Sequence, residues 1–462
     1  MITSTAFAGK RYAVLGLARS GAATVEALLA SGAHVTAWDK QDLAREPFAK
    51  GSHEGRCELA DPLTIDLTGF DGVVVSPGVP LNTHPIRPHA EKFGVPVIGD
   101  IELFALARPE LPPHKVVGIT GTNGKSTTTA LVHHILVMAG IPAVMGGNIG
   151  EPIMAQKPLE PNEKGVGVYV LELSSYQIDL TFSLDCDAAA LTNITPDHLD
   201  RYDGFKAYAF AKGRLFTIQG SDQFAVFGNV AGAAGAIYAA AQPRRPSGRI
   251  VTADLEALAE LQADWPNLQG PHSLENVAVA VALAEELGVT RAQWEHALPR
   301  FRGLPHRMER VVEHNGVTYF NDSKATNTAS TAPALAAFPP APNPRLHWIV
   351  GGLAKEDGLG ECAEHVGNLA GAYTIGEAGP RFAELLEPHT NVTRCELLCE
   401  AVRAATEAAK PSDVILLSPA CASFDQFRDY ERRGEHFRQI VSVITGEPDI
   451  MRPISEIAGE AA

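Results

Sequence analysis

The sequence predicts an α/β protein of three domains, each built around a mostly parallel β-sheet. Short runs of β-branched and other apolar residues alternate with longer stretches of helical spacing, and most of these runs end in glycine or serine before the next helical stretch begins. Proline-rich breaks divide the chain into three such segments. These observations favour stacked β-α-β units over an all-helical or all-β fold.

Strands are predicted at the short apolar runs, and a stretch long enough for a crossover helix follows most of them. The strand candidates lie at residues 12–17, 34–38, 73–76, 116–120, 168–173, 188–192, 348–351 and 414–418. The proline-rich segment at 108–113 and the Gly-Leu-Pro turn at 303–305 mark the changes from one domain to the next. The expected domains are therefore residues 1–104, 105–303 and 304–462.

Composition limits the classes of function. The chain has 462 residues, 45% hydrophobic and 20% charged, and a formal net charge of −16. Because an acidic surface repels phosphate backbones and anionic headgroups, neither nucleic acid nor a membrane is expected as a partner. No apolar run is long enough for a transmembrane helix, and the first residues do not resemble a signal peptide. The six cysteines show no complete zinc-site spacing, so reduced thiols and a cytoplasmic location are expected.

A glycine-rich segment, GITGTNGKST at 118–127, follows one strand candidate and opens a helical stretch. Glycines let backbone N–H groups surround phosphate oxygens, a helix N-terminus adds partial positive charge, and a following lysine and hydroxyl suit nucleotide phosphates and Mg²⁺. The segment could also be a glycine-rich turn with a solvated lysine, but its order of strand, Gly-Lys-Ser-Thr and helix favours ATP. The residues predicted to bind ATP here are Gly121, Thr122, Asn123, Gly124, Lys125, Ser126 and Thr127.

In one respect the segment departs from the usual phosphate-loop pattern, because Ile119 stands where the first glycine is expected. With this departure it resembles, residue for residue, the loop of the Mur ligases and their folate-polyglutamating relatives. The resemblance extends over almost the whole chain. It implies an α/β fold with a Rossmann-like UDP-binding domain, a central P-loop ATPase-type domain with a mostly parallel sheet, and a Rossmann-like C-terminal domain.

In the central segment, a glutamate and a histidine each follow a strand candidate: Glu172 and His198. Glu172 can be read as a Mg²⁺ ligand beside the phosphate loop or as a solvated acid at a helix start. His198, in a polar loop, would more often be structural if judged alone. Both lie in segments that resemble Mur ligase motifs, and the resemblance implies that each holds magnesium, together with Ser126.

Lys212 lies in the segment YAFAKGRLF, where spacing alone suggests a helix surface residue. The resemblance instead implies that CO₂ carbamylates this lysine, which turns an ammonium into a carboxylate that binds Mg²⁺. Carbamylation requires a neutral amine, so Lys212 should lie where burial or nearby cations lower its pKa. The resemblance thus implies ATP, Mg²⁺ and a CO₂-derived carbamate as cofactors, and catalytic roles for Lys125, His198, Lys212 and Lys324.

The first segment contains GLARSG at 16–21, a dinucleotide-type turn in which Ala18 interrupts the G-x-G pattern. Taken alone, this turn is compatible with an NAD site. The resemblance implies that the segment binds the uridine diphosphate of a UDP-sugar. The residues implied for the UDP-substrate are Arg19, Ser20, Asp39, Ser76, Gly78, Asn148, Ser174, Gln177 and His198. Arg19 departs from the small or apolar residue that the family pattern suggests.

The remaining motifs concern adenine, phosphate charge and the amino acid. The resemblance adds three ATP-binding residues, Asn276, Arg307 and Asp322, and places Lys324 near the reacting phosphate. An always ionised guanidinium such as that of Arg307 suits the charge on phosphate. In the last segment, SPACASFDQF at 418–427 most resembles the D-glutamate-adding branch of the family. The residues implied for D-glutamate are Thr326, Lys355, Ser423, Phe424 and Tyr430.

The resemblance therefore implies an ATP-dependent ligase that adds D-glutamate to UDP-N-acetylmuramoyl-L-alanine through an acyl phosphate, in peptidoglycan precursor synthesis. The expected partners are these two substrates and ATP, and a monomer is expected. Two alternatives remain open. One is a sibling ligase that adds L-alanine or a diamino acid, or γ-glutamate to folate. The other is a nucleotide-gated binding protein that hydrolyses ATP without ligation.

Overall fold

The structure is a computed structural model that describes residues 1–49, 55–197, 201–268 and 270–451. The strands within these residues are β1 (Arg11–Leu15), β2 (His34–Trp38), β3 (Cys57–Leu59), β4 (Gly72–Val75), β5 (Val97–Ile98), β6 (His114–Thr120), β7 (Ala143–Gly147), β8 (Gly167–Glu172), β9 (Ala188–Leu191), β10 (Phe224–Phe227), β11 (Ile250–Thr252), β12 (Glu309–His314), β13 (Val317–Asn321), β14 (Leu346–Gly351), β15 (Leu369–Ile375), β16 (Val392–Glu396) and β17 (Val414–Leu417).

The helices connect these strands, mostly as crossovers. They are α1 (Arg19–Ala30), α2 (Asp42–Ala49), α3 (Ile86–Lys92), α4 (Asp100–Ala107), α5 (Lys125–Met138), α6 (Ser175–Asp179), α7 (Gly204–Ile218), α8 (Gly232–Ala241), α9 (Glu256–Ala259), α10 (Pro271–Glu286), α11 (Arg291–Ala297), α12 (Thr328–Ala336), α13 (Gly379–Leu386), α14 (Leu398–Ala408) and α15 (Tyr430–Thr445). None of the described helices is both long and apolar enough to span a membrane. The predicted α/β class is confirmed, and every predicted strand is present within a residue or two.

The first sheet has the strand order β3-β2-β1-β4-β5, and all of its pairs are parallel. This is the order of the Rossmann fold, in which the chain winds outward from a central first strand. The central strand β1 is buried from Tyr12 onward because helices cover both faces of a parallel sheet. The carboxyl ends of β1 and β4 meet at one edge, where loops can bind a ligand.

The second sheet has the order β11-β10-β9-β6-β8-β7, again with parallel pairs only. Strand β6 lies between β8 and β9, so the loops that follow these three strands share one edge of the sheet. Val116, Val117 and Ile119 of β6 are fully buried, as expected for a central parallel strand. This arrangement brings the segment at 118–127 next to the segments that follow β8 and β9.

The chain divides into two compact units, Met1–Phe301 and Arg302–Ala462, and the first two sheets share the first unit. Helix α4 connects these sheets. Its buried Glu102 accepts hydrogen bonds from the backbone N–H groups of Phe182 (2.6 Å) and Ser183 (3.0 Å) and from the Ser183 hydroxyl (2.7 Å). The boundary predicted after residue 104 falls inside α4, which ends at Ala107. The division into three domains stays a prediction.

The third sheet, in the second unit, has the order β12-β13-β17-β14-β15-β16. From β13 through β17, β14 and β15 to β16, neighbouring strands pair in parallel. Strand β12 pairs antiparallel with β13 through a tight hairpin. The hairpin turns at Asn315 and Gly316, whose φ angles are 52° and 77°, the left-handed pair that a two-residue hairpin loop requires. The chain therefore enters this Rossmann-like sheet through an antiparallel edge that the strand candidates did not include.

Candidate active site

The phosphate-loop segment forms a tight cradle between β6 and α5. The loop following β9 supports it: Asn193 accepts the Thr122 N–H with its carbonyl at 2.9 Å and the Asn123 N–H with its side chain at 2.9 Å. Gly121 has a φ of 148°, and a Cβ there would lie 1.9 Å from Thr192 Oγ1. Only glycine fits this close approach of backbone to side chain.

The second glycine of the cradle adjoins the residue predicted to contact adenine. A Cβ on Gly124 would lie 2.1 Å from Oδ1 of Asn276, and the Thr128 hydroxyl donates to the same atom at 3.3 Å. The structure therefore brings Asn276 of α10 to the phosphate loop. Asn276 lies 148 residues after Thr128 in the chain, and the sequence motif around Asn276 was the signal that it belongs to the nucleotide site.

Helix α5 begins at Lys125, so its first-turn N–H groups, including those of Ser126 and Thr127, lie at the loop. The Lys125 ammonium donates to the carbonyl of Thr122 at 2.7 Å, which folds the side chain back over the loop. An anion in the cradle would meet both the helix N-terminus and this ammonium. The predicted geometry of strand, loop, lysine and helix is present.

Glu172 ends β8 beside this loop and is 2% exposed. Its carboxylate accepts the Ser126 hydroxyl at 2.5 Å on Oε2 and the side-chain N–H of Asn148 at 3.0 Å on Oε1. A buried carboxylate and an adjacent hydroxyl are oxygen ligands of the type that Mg²⁺ takes beside phosphates. Asn148, predicted for the UDP-substrate, thus lies at the same carboxylate. His198 falls outside the described residues.

The described residues contain no cluster of three or more His, Cys, Asp and Glu that could hold a metal ion. The predicted magnesium set does not require one, because it combines Ser126, Glu172, His198 and a modified Lys212. Within the described part of this set, hydroxyl and carboxylate are already hydrogen-bonded to each other. These residues therefore fit a Mg²⁺ ion that is held jointly by protein oxygens and phosphate.

Lys212 lies on α7 with 2% of its surface exposed, which excludes the helix-surface alternative. Its Nζ donates to the carbonyl of Gly121 at 2.7 Å and lies 4.8 Å from the centre of the Tyr208 ring. Burial, and then the charge of Lys125, lower the pKa of the Lys212 amine to about 7. The lowered pKa and the position beside the phosphate loop meet the chemical requirement that carbamylation sets.

Two of the residues predicted for UDP, Asp39 and Ser76, hold the dinucleotide-type turn of the first sheet. Asp39 accepts the N–H of Leu17 at 2.7 Å, and the Ser76 hydroxyl donates to the carbonyl of Gly16 at 2.7 Å. A Cβ on Gly21 would lie 1.7 Å from that same carbonyl, so α1 packs closely against the turn. The N-terminus of α1 consequently opens toward the strand-end edge.

The other residues predicted for UDP have mixed partners. The Arg19 guanidinium donates to the carbonyl of Gly150 at 3.3 Å, and Arg201 donates to the carbonyl of Gly78 at 3.4 Å. Ser20 lies in the first turn of α1. Ser174 and Gln177 form a capping box on α6, so their side chains have a local structural function. Their roles toward a substrate stay predictions.

The second unit contains its own cluster at the ends of β13, β14 and β17. The buried Asp322 carboxylate accepts the Ser418 hydroxyl at 2.7 Å and the N–H of Met308 at 3.1 Å. Burial raises the pKa of this carboxyl to about 7. Arg307 is half-buried close enough for its charge to favour the ionised form of Asp322. The structure brings these two predicted residues together.

The residues predicted for the amino acid gather at the same strand ends. Lys355 Nζ donates to Thr326 Oγ1 at 3.2 Å, and Lys324 Nζ donates to the Tyr430 hydroxyl at 3.2 Å. An isolated bridge between Leu353 and Ala422, with both N–H···O bonds at 2.9 Å, joins the loop that carries Lys355 to the loop that carries Ser423. Ser423 is buried, whereas Phe424 is 70% exposed.

His306 is a part of this cluster that the sequence reasoning did not identify. It has a φ of 62°, and Met308 has a φ of 44°, so strained backbone flanks Arg307 on both sides. The ring of His306 contacts Asn321 at 2.9 Å, and its carbonyl accepts the N–H of Lys324 at 3.0 Å. The only sequence signal was its place beside Arg307, which does not reveal a left-handed backbone.

Comparisons with known proteins agree with the fold and these motifs. The profile of the Mur ligase middle domain matches residues 119–264, and that of the Mur ligase glutamate ligase domain matches residues 306–421. UDP-N-acetylmuramoylalanine–D-glutamate ligase of Novosphingobium aromaticivorans is 63% identical over 444 residues, which cover 96% of this chain and 97% of that protein. The protein of the same name from Sphingopyxis alaskensis is 57% identical over 445 residues, 96% of this chain and 100% of that one.

A solved structure extends the likeness in fold. The crystal structure of UDP-N-acetylmuramate-alanine ligase from Thermotoga maritima aligns with a TM-score of 0.55 and 16% identity. The alignment covers 94% of this chain and 99% of that chain. At this identity the likeness concerns the arrangement of strands and helices only.

Proposed function

Because the chain belongs to the Mur ligase family, we propose that it is an ATP-dependent ligase that joins D-glutamate to UDP-N-acetylmuramoyl-L-alanine. The observation that carries this proposal is the 63% identity to a D-glutamate ligase over 96% of the chain. The reaction is a step in the synthesis of the peptidoglycan precursor. The sibling ligases and a non-ligating ATPase are the alternatives that the experiment below separates.

The reaction proceeds in two steps, phosphoryl transfer and then amide formation. The alanyl carboxylate attacks the γ-phosphorus of ATP, the bond to the β,γ-bridging oxygen breaks, and acyl phosphate and ADP form. The amine of D-glutamate then attacks the acyl carbon, a proton leaves the nitrogen, and phosphate departs with the electrons of the C–O bond. ATP is consumed because amide formation from a free carboxylate in water is unfavourable. Phosphoryl transfer of this kind depends mainly on positioning and on stabilisation of charge.

Within the first unit, the cradle and Lys125 orient the ATP phosphates. Bound Mg²⁺ would neutralise charge on the phosphate oxygens, and Ser126 and Glu172 are the described residues that would hold it, together with His198. The 2.5 Å contact between the Ser126 hydroxyl and the Glu172 carboxylate supports this pairing. Asn276 lies against Gly124 and would contact the bound ATP.

We further propose that Lys212 acts as a carbamate. Its burial, its place beside Gly121 and its lowered pKa support this role. A neutral amine attacks CO₂ and releases one proton, and the resulting carbamate carries one negative charge. Lysine suits this reaction because its amine can become neutral, whereas the guanidinium of arginine cannot.

We propose that the UDP-sugar binds at the strand ends of the first sheet. The N-terminus of α1 would receive the diphosphate there, with Arg19, Ser20, Asp39, Ser76 and Gly78 around it. Asn148, Ser174 and Gln177 lie toward the phosphate loop and would meet the sugar end. The hydrogen bond from Asn148 to Glu172 supports this order, because it connects the sugar side of the site to the site of phosphoryl transfer.

In the second unit, we propose that Asp322 binds the ATP ribose, that Arg307 stabilises phosphate charge, and that Lys324 lies near the reacting phosphate. Thr326, Lys355, Ser423, Phe424 and Tyr430 would form the D-glutamate pocket. The contacts of Lys355 with Thr326 and of Lys324 with Tyr430 support this grouping. The protein would act as a monomer in the cytoplasm, and its domains would span residues 1–104, 105–303 and 304–462.

The test is amide formation against a panel of amino acids with ATP, Mg²⁺ and UDP-N-acetylmuramoyl-L-alanine present. A site built around donors for two carboxylates rejects ligands that leave those donors unpaired, by roughly 1–3 kcal/mol for each neutral group. D-glutamate should therefore exceed L-alanine, L-glutamate and meso-diaminopimelate by at least about 100-fold in kcat/KM. Efficient use of another amino acid identifies a sibling ligase, and phosphate release without amide identifies the ATPase alternative.

A further inference from the structure

Arg433 on α15 is a buried cation that has no role in the proposed reaction as described above. Only 1% of its surface is exposed. Its Nε donates to the Ser323 hydroxyl at 3.0 Å, and its Nη2 donates to the carbonyls of Ser323 at 2.8 Å and Cys421 at 3.0 Å. Nη1 has no hydrogen-bond partner among the residues that the structure describes.

No described residue forms an ion pair with this guanidinium. Asp425 acts on it only as a neighbouring charge, and burial lowers the pKa of Arg433 to about 10, so it remains a cation at neutral pH. Buried charges are normally paired, because an uncompensated charge in a low-dielectric interior is strongly unfavourable. The three bonds to hydroxyl and carbonyl oxygens solvate the cation without neutralising it. A bound anion nearby would supply the missing charge.

The position of Arg433, on α15 beside the third sheet, indicates where such an anion would bind. Strand β17 lies between β13 and β14, while β15 and β16 extend the sheet in the other direction. The order of strands therefore reverses between β17 and β14, and ligands of open α/β sheets bind in the crevice at such a reversal. A Cβ on Gly352, directly after β14, would lie 3.2 Å from Nη1 of Arg433. The unpartnered nitrogen is thus at this crevice.

The three loops that Arg433 contacts are those of the proposed amino-acid pocket. Ser323 precedes Thr326, Gly352 precedes Lys355, and Cys421 precedes Ser423 in the chain. D-glutamate carries a distal carboxylate besides the amine that reacts, and a cation near the pocket would compensate the charge of that carboxylate. Lys355 is exposed to solvent, where water screens its charge. Arg433 lies behind the Ser423 loop instead.

We propose that Arg433 is a positioning residue that makes the pocket selective for an amino acid with an anionic side chain. It holds the three loops, and its buried charge is compensated when the distal carboxylate of the amino acid arrives. This inference rests on the proposed function, because it concerns the second substrate of that reaction. It assigns the choice of an acidic side chain to a residue that does not touch the substrate.

The experiment compares D-glutamate with D-glutamine, whose side chain has nearly the same shape but no charge. The ratio of their kcat/KM values, with ATP and the UDP-substrate saturating, isolates the distal carboxylate. In Arg433→Met, which removes the charge, the ratio should fall about 10–50-fold, through a higher KM for D-glutamate, while the KM for ATP stays within threefold. Arg433→Lys, which keeps the charge, should retain the ratio within about threefold.

Arg245→Met is the matched control. Arg245 is also buried, donates to the carbonyls of Ala241 and Phe216 and to the Gln219 side chain, and lies in the first unit. Removal of the Arg245 side chain should lower thermal stability, as expected for a structural arginine, and leave the ratio of kcat/KM values unchanged.

An unchanged ratio of kcat/KM values in a folded Arg433→Met variant overturns the inference, and so does an equal rise in every KM. If Arg433→Met does not fold, a more than threefold fall in Arg433→Lys overturns it. Absence of D-glutamate ligation by the unmodified protein is a separate result that refutes the proposed function.

Discussion

The Nζ of Lys212 lies 2.7 Å from the carbonyl oxygen of Gly121, the glycine that opens the phosphate cradle. The buried amine is thus in direct contact with the loop that is proposed to bind ATP. After burial, the charge of Lys125, the lysine that follows the cradle in the chain, is the next cause of the lowered pKa of Lys212. Two cations so near each other favour the state in which one of them is neutral.

The first prediction concerns the carbamate. Lys212→Ala should be inactive but partly restored by added short carboxylates, which can occupy the space of the carbamate and provide an anionic oxygen. Lys212→Arg should be inactive with or without them, because its charge is permanent. Amide formation would be measured for both variants with and without the carboxylate. Lys206→Ala, an exposed lysine on the same helix, is the control and should remain active. Full activity of Lys212→Ala or Lys212→Arg in CO₂-free buffer would contradict the role.

The second prediction concerns the phosphate loop. Lys125→Ala should lower turnover on the order of 10³-fold, because the ammonium stabilises charge that develops on the transferred phosphoryl group. Binding of the UDP-substrate, measured by calorimetry, should persist, since the proposed site for it lies on the first sheet. Lys164→Ala removes an exposed lysine and should leave turnover unchanged. Near-normal turnover in Lys125→Ala would refute the assignment of this loop to ATP.

The third prediction concerns Lys355, the exposed lysine of the proposed amino-acid pocket. Lys355→Ala should raise the KM for D-glutamate at least about tenfold and that for ATP less, because charge-assisted hydrogen bonds to a carboxylate exceed neutral ones. Steady-state kinetics with each substrate varied in turn would measure the difference. Lys410→Ala, an exposed lysine before β17 at the opposite end of the strand, should change neither value. Equal rises in both KM values would argue against a specific contact with the amino acid.

The fourth prediction is a dependence of stability on pH. Burial raises the pKa of Asp322 to about 7 from an ordinary value of 3.8. The folded protein therefore keeps this proton at pH values where the unfolded chain has released it. Its contribution to stability is fully present below pH 3.8 and is lost as pH rises through about 7, with a slope of at most about 1.4 kcal/mol per pH unit.

Urea unfolding of the unmodified protein and of Asp322→Asn between pH 5 and pH 8 would measure this dependence. Asparagine cannot titrate, so the unmodified protein should lose stability relative to the variant as pH rises. Parallel pH profiles for the two proteins would show that Asp322 does not hold a proton in the folded state.

The parallel core of the fold could be predicted from sequence because β-branched runs such as those of β6 and β8 leave little choice of structure. The hairpin of β12 and β13 was missed, although Asn315-Gly316 between two alternating runs is a strong local signal for it. Strand β7 has the sequence AVMGG, whose glycines weaken any strand signal. It forms because it pairs with β8, a contact that no local pattern contains.

The residues of the candidate site also fall into those that the sequence could predict and those that it could not. The phosphate loop is a contiguous motif, so its geometry followed from residues 118–127 alone. The burial of Lys212 depends on packing of α7 against the loop and could be expected only through the family resemblance. Arg433 stood in a segment that the resemblance covered, but an arginine is mostly exposed by default. Only the three-dimensional arrangement of β13, β14 and β17 reveals that it is buried, with no ion-pair partner among the residues described.

The carboxylate of Glu102 has a consequence for how substrate length is recognised. Its three bonds to Phe182 and Ser183 hold the sheet of the proposed uridine site and the sheet of the phosphate loop in one body. The span from the nucleotide to the point of phosphoryl transfer is then set before any substrate arrives. If the substrates bind as proposed, a UDP-sugar without its alanyl extension would bind by its uridine but leave its terminal carboxylate short of ATP. Under the proposed function, the first unit would therefore select its substrate by length as well as by chemical groups.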